Sequence, residues 1–89
     1  MSTAMQVGDR FTSTSDRRFT EDGVRRMHHL DLLCEVVSTD AVGFAWNVVE
    51  VLNEENRPTT FAPFVPTAGT TAWFGWAAAV ERGDVQRVR

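Results

Sequence analysis

The 89-residue chain contains no lysine, no isoleucine and no tyrosine, and all nine of its basic residues are arginine. Those three missing types use A/T-rich codons. Their joint absence points to a GC-rich genome, such as that of an actinobacterium or one of its phages. Cys34 is the single cysteine. It excludes an intramolecular disulfide, so apolar packing has to hold the fold. A lone thiol in an apolar strand reads as a small buried hydrophobe before it reads as a reactive group. The longest apolar stretch, 72–80, is far too short to span a bilayer. Residues 1–7 are polar and lack the apolar centre of a signal peptide. These absences lead to the expectation of a cytoplasmic protein, in the host cytoplasm if phage-encoded, with no membrane contact.

Eighty-nine residues suffice for one domain, 1–89, with a modest core that buries roughly 60–65% of the unfolded surface. Hydrophobic residues make up 43% and charged residues 24%, close to ordinary globular values, so the chain is expected to fold. Net charge is −3, which argues against general nucleic-acid binding. The charge is uneven. Residues 1–29 carry five arginines against four acids, and residues 30–89 carry four arginines against eight acids.

Residues 1–4 are expected to fray. Gly8-Asp9 reads as a turn into a first short strand, with Val7 and Phe11 as anchors. Residues 12–23, rich in Ser, Thr and Asp and closed by Asp22-Gly23, read as a long loop. From Val24 a helix competes with a strand, and the β-branched Val36-Val37 favour the strand. Leu30, Leu32, Cys34 and Val36 share one apolar face by alternation. After a turn at 38–43, alternation puts Phe44, Trp46, Val48, Glu50 and Leu52 on one face of a second strand, so 30–52 predicts a β-hairpin. A third strand is expected over 59–65, with Pro63 at an edge or bulge. Residues 66–69 read as its end.

In 70–82 the three consecutive alanines favour a short helix, capped by Thr70 or Thr71. Trp73, Trp76, Ala77 and Val80 form its apolar stripe and Gly83 its C-cap. Residues 85–88 then form a last strand that can pair with the first and close a small barrel.

Few side chains fit a catalytic pattern. His28, His29, Asp31 and Cys34 are ligand types, but adjacent strand residues point to opposite faces, so the two histidines diverge and no metal site is expected. The glycines are scattered and form no phosphate loop. No catalytic residues and no cofactor are therefore expected, and the protein is not expected to be an enzyme. Two features stand out instead. Arg17-Arg18 and Arg25-Arg26 flank the expected loop, where they could grip phosphate or an acidic partner. The competing and favoured reading is local neutralisation by Asp16, Glu21 and Asp22. Phe61, Phe64, Trp73, Phe74 and Trp76 crowd the last third, more aromatic surface than one element buries. The excess is either bulky core or a partner surface.

The front segment Val7-Gly8-Asp9-Arg10-Phe11, the long hairpin and the closing Gly83-Asp84-Val85-Gln86-Arg87-Val88 together resemble small SH3-like barrel proteins of actinobacteria and their phages. The resemblance covers about a dozen residues and implies an interaction module without catalytic residues. The expected fold is mainly β (or α+β): a small antiparallel SH3-like barrel or half-barrel with one short C-terminal helix. The expected function is non-catalytic binding of a protein, as a homodimer or as a phage accessory protein on a host factor. Nucleic-acid binding through the arginine-bearing segment 17–26 is the alternative, disfavoured by the acidic net charge.

Overall fold

Asp22 and Gly23 both take positive φ, 51° and 76°. Two such residues in succession match the type I′ turn, whose twist suits two antiparallel strands. On either side of it, in the computed structural model, run β1 (Arg10–Glu21) and β2 (Val24–Thr39). The structure describes residues 5–59 and 66–88. The pairing of β1 with β2 is unbroken from Arg10 opposite Glu35 to Glu21 opposite Val24. Segment 12–23 is therefore not a loop but most of a strand and its turn. Its Ser/Thr/Asp content reflects exposure of the strand's far part, where little apolar surface is required, rather than irregular backbone.

β3 (Gly43–Glu55) returns along β2, then β4 (Ala68–Ala72), α1 (Trp73–Arg82) and β5 (Val85–Val88) complete the described elements. One five-stranded antiparallel sheet results, in the order β4-β3-β2-β1-β5. The expected hairpin over 30–52 is present, and the last strand pairs with the first. The barrel is not closed: among the described residues β4 and β5 are the two edges of the sheet and do not pair with each other. The fold is the open alternative, a mainly β sheet with one short helix. The helix begins three residues later than expected, because Thr70 and Thr71 belong to β4. Its N-cap is Ala72, with no side-chain cap, and Gly83 closes it in the left-handed conformation at φ 80°. Residues 1–4 and nearly all of the expected strand over 59–65, including Pro63, lie outside the described residues.

The core sits where all these elements meet. Leu30, Leu32, Cys34 and Val36 are all buried, as their alternation predicts. Phe11 comes from β1 and Phe44 from β3, and Trp76 is brought down by the helix. Phe11 meets Phe44, Trp46 and Trp76 edge-on, at ring separations of 5.8, 6.2 and 5.1 Å. Such geometry sets the positive ring edge against a negative face and adds to the gain from burial. Met5, not Val7, anchors the N-terminal segment: Met5 is buried, whereas Val7 is 65% exposed.

Strict alternation fails along β3. Its register with β2 passes over Val49 and Leu52, while β2 passes over Val37. Each skipped residue is a bulge, and each bulge reverses the facing of the residues after it. Glu50 consequently lies opposite Leu33 on the outer face and Val51 takes the inner place opposite Leu32, until the bulge at Leu52 restores the original alternation and Glu54 lies inward opposite Leu30. The pairing of β3 with β4 needs two glycines. A Cβ on Gly43 would lie 2.1 Å from the Thr71 carbonyl oxygen, and one on Gly69 would lie 2.5 Å from the Trp46 indole. The indole covers Gly69 and donates from Nε1 to Thr71 Oγ1 at 3.0 Å.

The short elements cover only one end. β5 reaches β1 over 10–13, and β4 reaches β3 over 43–47. β2 alone has 16 residues, and the longest dimension of the molecule is 47 Å. The paired strands thus project well beyond the core as a long ribbon ending at Asp22-Gly23. Because Phe11 joins three elements in one contact, Phe11→Ala should cost about 3–5 kcal/mol, a large part of a small domain's stability. Urea unfolding should show the midpoint falling accordingly; an unchanged midpoint would contradict this account of the core.

Candidate functional site

Regular pairing of β1 with β2 determines where each arginine goes. Phe11 and Cys34 face the core, so every second pair after them shares that inner face. Arg17 (opposite buried His28) and Arg26 (opposite Phe19) are therefore on the inner face. Arg18 (opposite Met27) and Arg25 (opposite Thr20) are on the outer face. The two-residue turn brings all four side chains to the end of the ribbon. All four are exposed.

Local neutralisation, the favoured reading of the sequence, is not what the structure shows. Among the described residues the ion-paired arginines are Arg10, Arg57, Arg82 and Arg87, while Arg17, Arg18, Arg25 and Arg26 have no carboxylate partner. Two of the three nearby acids are occupied elsewhere. Asp16 Oδ1 lies 2.6 Å from His29 Nδ1. Glu21 is buried and accepts the Thr59 backbone N–H at 2.6 Å. Asp22 stands in the turn. Phe19 is half-buried among the arginines, and Met27 is 41% exposed.

The two histidines diverge as the strand geometry requires. His28 turns inward, and its Nε2 lies 2.6 Å from Glu54 Oε2, with Arg57 Nε 3.6 Å from the same oxygen. This pair ties the end of β3 to β2 beneath the arginines, at a position where the second β3 bulge, at Leu52, has restored the facing that the first, at Val49, reversed. His29 faces outward between two carboxylates, Asp16 on Nδ1 and Asp31 on Nε2 at 2.9 Å. A neutral imidazole donates from one nitrogen only, so satisfying both carboxylates requires the charged ring. The Asp16 bond first, then the Asp31 bond, raises the pKa of His29 above its ordinary 6.5. Thr14 Oγ1 donates to Asp31 Oδ1 at 2.6 Å and, with His29, holds the Asp31 carboxyl below its ordinary value. Among the described residues no group of three or more His, Cys, Asp or Glu side chains is arranged to hold a metal ion.

Two of the aromatic partner-surface candidates belong to the architecture. Trp76 is buried in the core. Trp73 packs against it, donates from Nε1 to the Asp40 carbonyl at 2.9 Å, and donates from its backbone N–H to the Val42 carbonyl. The Asp40 side chain in turn accepts the N–H groups of Val42 and Gly43. Phe74 is 84% exposed, next to the segment that carries the exposed Val42. Phe61 and Phe64 lie outside the described residues. The Cys34 thiol is fully buried, and burial pushes its pKa up to about 11.

This geometry has two measurable outcomes. Cys34 should label slowly with a thiol reagent in the native protein and rapidly in denaturant, because the thiolate is both inaccessible and disfavoured; fast native labelling would place the thiol at the surface. The bridge through His29 should be complete below pH 6.5 and be lost as pH rises through the raised folded pKa. His29→Gln should therefore remove the part of the stability decline that lies above pH 6.5, measured as melting temperature against pH. Parallel profiles for the two proteins would contradict the bridge. No family model matches the chain, and neither the curated proteins nor the solved structures hold a match to it, so the residues themselves are the basis for any functional reading.

Proposed function

We propose that this protein is a non-catalytic interaction module whose contact element is the projecting end of the β1–β2 ribbon, and whose partner is anionic. The carrying observation is the set of four exposed arginines, Arg17, Arg18, Arg25 and Arg26, without carboxylate partners in a chain of net charge −3. Four like charges close together repel one another, so nothing in the isolated fold requires them there. An anionic partner turns that repulsion into attraction. Arginine suits the role, since its planar fork binds phosphate or carboxylate through paired hydrogen bonds and cannot be neutralised by pH.

The remainder of the molecule supports the division of labour. Acidic side chains dominate the outer face beyond the ribbon end, where Asp16, Asp31, Glu35, Glu50 and Glu55 lie. An anionic partner is thereby confined to the arginines. Two of the aromatics that could have formed a protein interface, Trp73 and Trp76, are packed against or into the core, which weakens the reading of an aromatic partner surface.

Heparin, a sulfated polyanion, is the simplest probe. At about 50 mM salt the wild-type protein should be retained on a heparin column despite its net negative charge, and should elute by about 200 mM. The fourfold Arg→Gln variant at 17, 18, 25 and 26 should flow through. Arg82→Gln, which removes a charge paired with Asp84, should elute like wild type. Flow-through of the wild type would sink the proposal.

A further inference from the structure

The proposed anionic partner could be an acidic protein, a lipid surface or a nucleic acid, and the arrangement of the arginines separates these. We infer that the ribbon end binds the phosphodiester backbone of a nucleic acid, without reading its sequence. The inference rests on the proposed binding role of the same four arginines.

Three observations favour this partner. First, the arginines are divided between the two faces of the ribbon, Arg18 and Arg25 on the outer face and Arg17 and Arg26 on the inner. A flat lipid surface meets one face at a time and would leave one pair unused. A chain of phosphates has charge along a curved path and can reach both pairs. The apex itself is Asp22-Gly23, an acid and a glycine, and the one exposed apolar side chain beside it is the small Val24. Second, the polar groups around the arginines are short or acidic (Thr20, Asp22 and Asp16), and the amide nearest them, Asn56, donates to the Met27 carbonyl at 3.1 Å. Guanidinium groups on phosphates position a nucleic acid without specifying it. Third, affinity for an acidic protein usually depends on a few aromatic or apolar anchors seated in desolvated pockets. The ribbon end offers the half-buried Phe19 and the exposed Val24 on one face and the partly exposed Met27 on the other, which do not converge into one apolar anchor. Binding to phosphates needs no such pocket, since release of condensed counterions drives it. Phe19 is placed to stack on a base where the strand is unpaired.

The acidic outer face sets the size of the footprint. Beyond Asp16 the surface repels phosphates, so the contact is limited to about four of them, one per arginine. Binding should be weak and steeply salt-dependent. For duplex DNA the slope of log affinity against log salt should lie near about −3.6, which is about a 100-fold loss between roughly 50 and 200 mM salt. For a single strand of DNA or RNA the slope should be about −2.8.

Fluorescence anisotropy tests this with labelled duplex DNA, single-stranded DNA and single-stranded RNA, alongside labelled poly-glutamate and vesicles of anionic lipid. Binding to at least one nucleic acid with the stated slope is expected, indifferent to base sequence. Tighter binding of duplex identifies duplex as the favoured form, and preference for single strands identifies stacking on Phe19; either supports the inference. Replacing the outer pair (Arg18→Gln with Arg25→Gln) should lower the slope by about 2, and so should replacing the inner pair (Arg17→Gln with Arg26→Gln). Melting temperature checks that each variant is folded, and Arg82→Gln should leave the slope unchanged. Equal affinity for poly-glutamate or for vesicles would overturn the inference while leaving the anion-binding role intact. Loss of slope on replacing only one pair would overturn the two-faced contact. Retention on heparin without nucleic-acid binding would likewise overturn the inference alone, whereas absence of all anion binding would remove both.

Discussion

The edge-on contacts of Phe11 with Phe44, Trp46 and Trp76 bring β1, β3 and α1 together at one point. The rest of the molecule depends on that point. No disulfide holds the chain, because Cys34 is its only cysteine, so the aromatic cluster and the apolar face of β2 must supply the cohesion. Ring edges set against ring faces also orient the elements, since each ring has to approach from a defined direction. The helix is short, ten residues, and keeps its place because Trp76 is in this cluster and Trp73 is bonded to the turn at Asp40 and Val42.

Concentrating the core at one end has a structural consequence for the other. β5 and β4 cover only the first few pairs of β1 and β3. Beyond them the ribbon is held by backbone pairing and by polar ties across strands: His29 between Asp16 and Asp31 on the outer face, His28 against Glu54 on the inner. These ties use side chains where the core uses apolar surface. They also occupy Asp16, an acid that stands beside Arg17, and Glu21 is occupied in the same way by the Thr59 backbone. Two of the three acids that sequence proximity offers the arginines, Asp16 and Glu21, are thus bonded elsewhere. Local structure thus creates the surface on which the proposed function rests.

Some of this was legible along the chain, because period-2 alternation is a local property. The apolar set Leu30, Leu32, Cys34 and Val36 identified β2 and its inner face, and the same rule separated His28 from His29. Gly83 announced the end of the helix, since a left-handed residue there favours glycine. Asp22-Gly23 carried the signal for the tight hairpin, but the polar composition before it suggested a loop. A strand with both faces near water has no apolar alternation to show, and pairing alone reveals it.

The sequence by itself determined a small β-rich fold without disulfides, a buried thiol, a hairpin around residue 40 and an excess of arginine near the front. Only the tertiary structure decided the faces of β3, because bulges at Val49 and Leu52 reverse the alternation, and bulges arise from pairing between strands. It also decided which acids neutralise which bases. Proximity in sequence assigned Asp16, Glu21 and Asp22 to the arginines, whereas the fold bonded the first two to His29 and to the Thr59 backbone, because a charge is satisfied by what lies nearest in space and in favourable geometry.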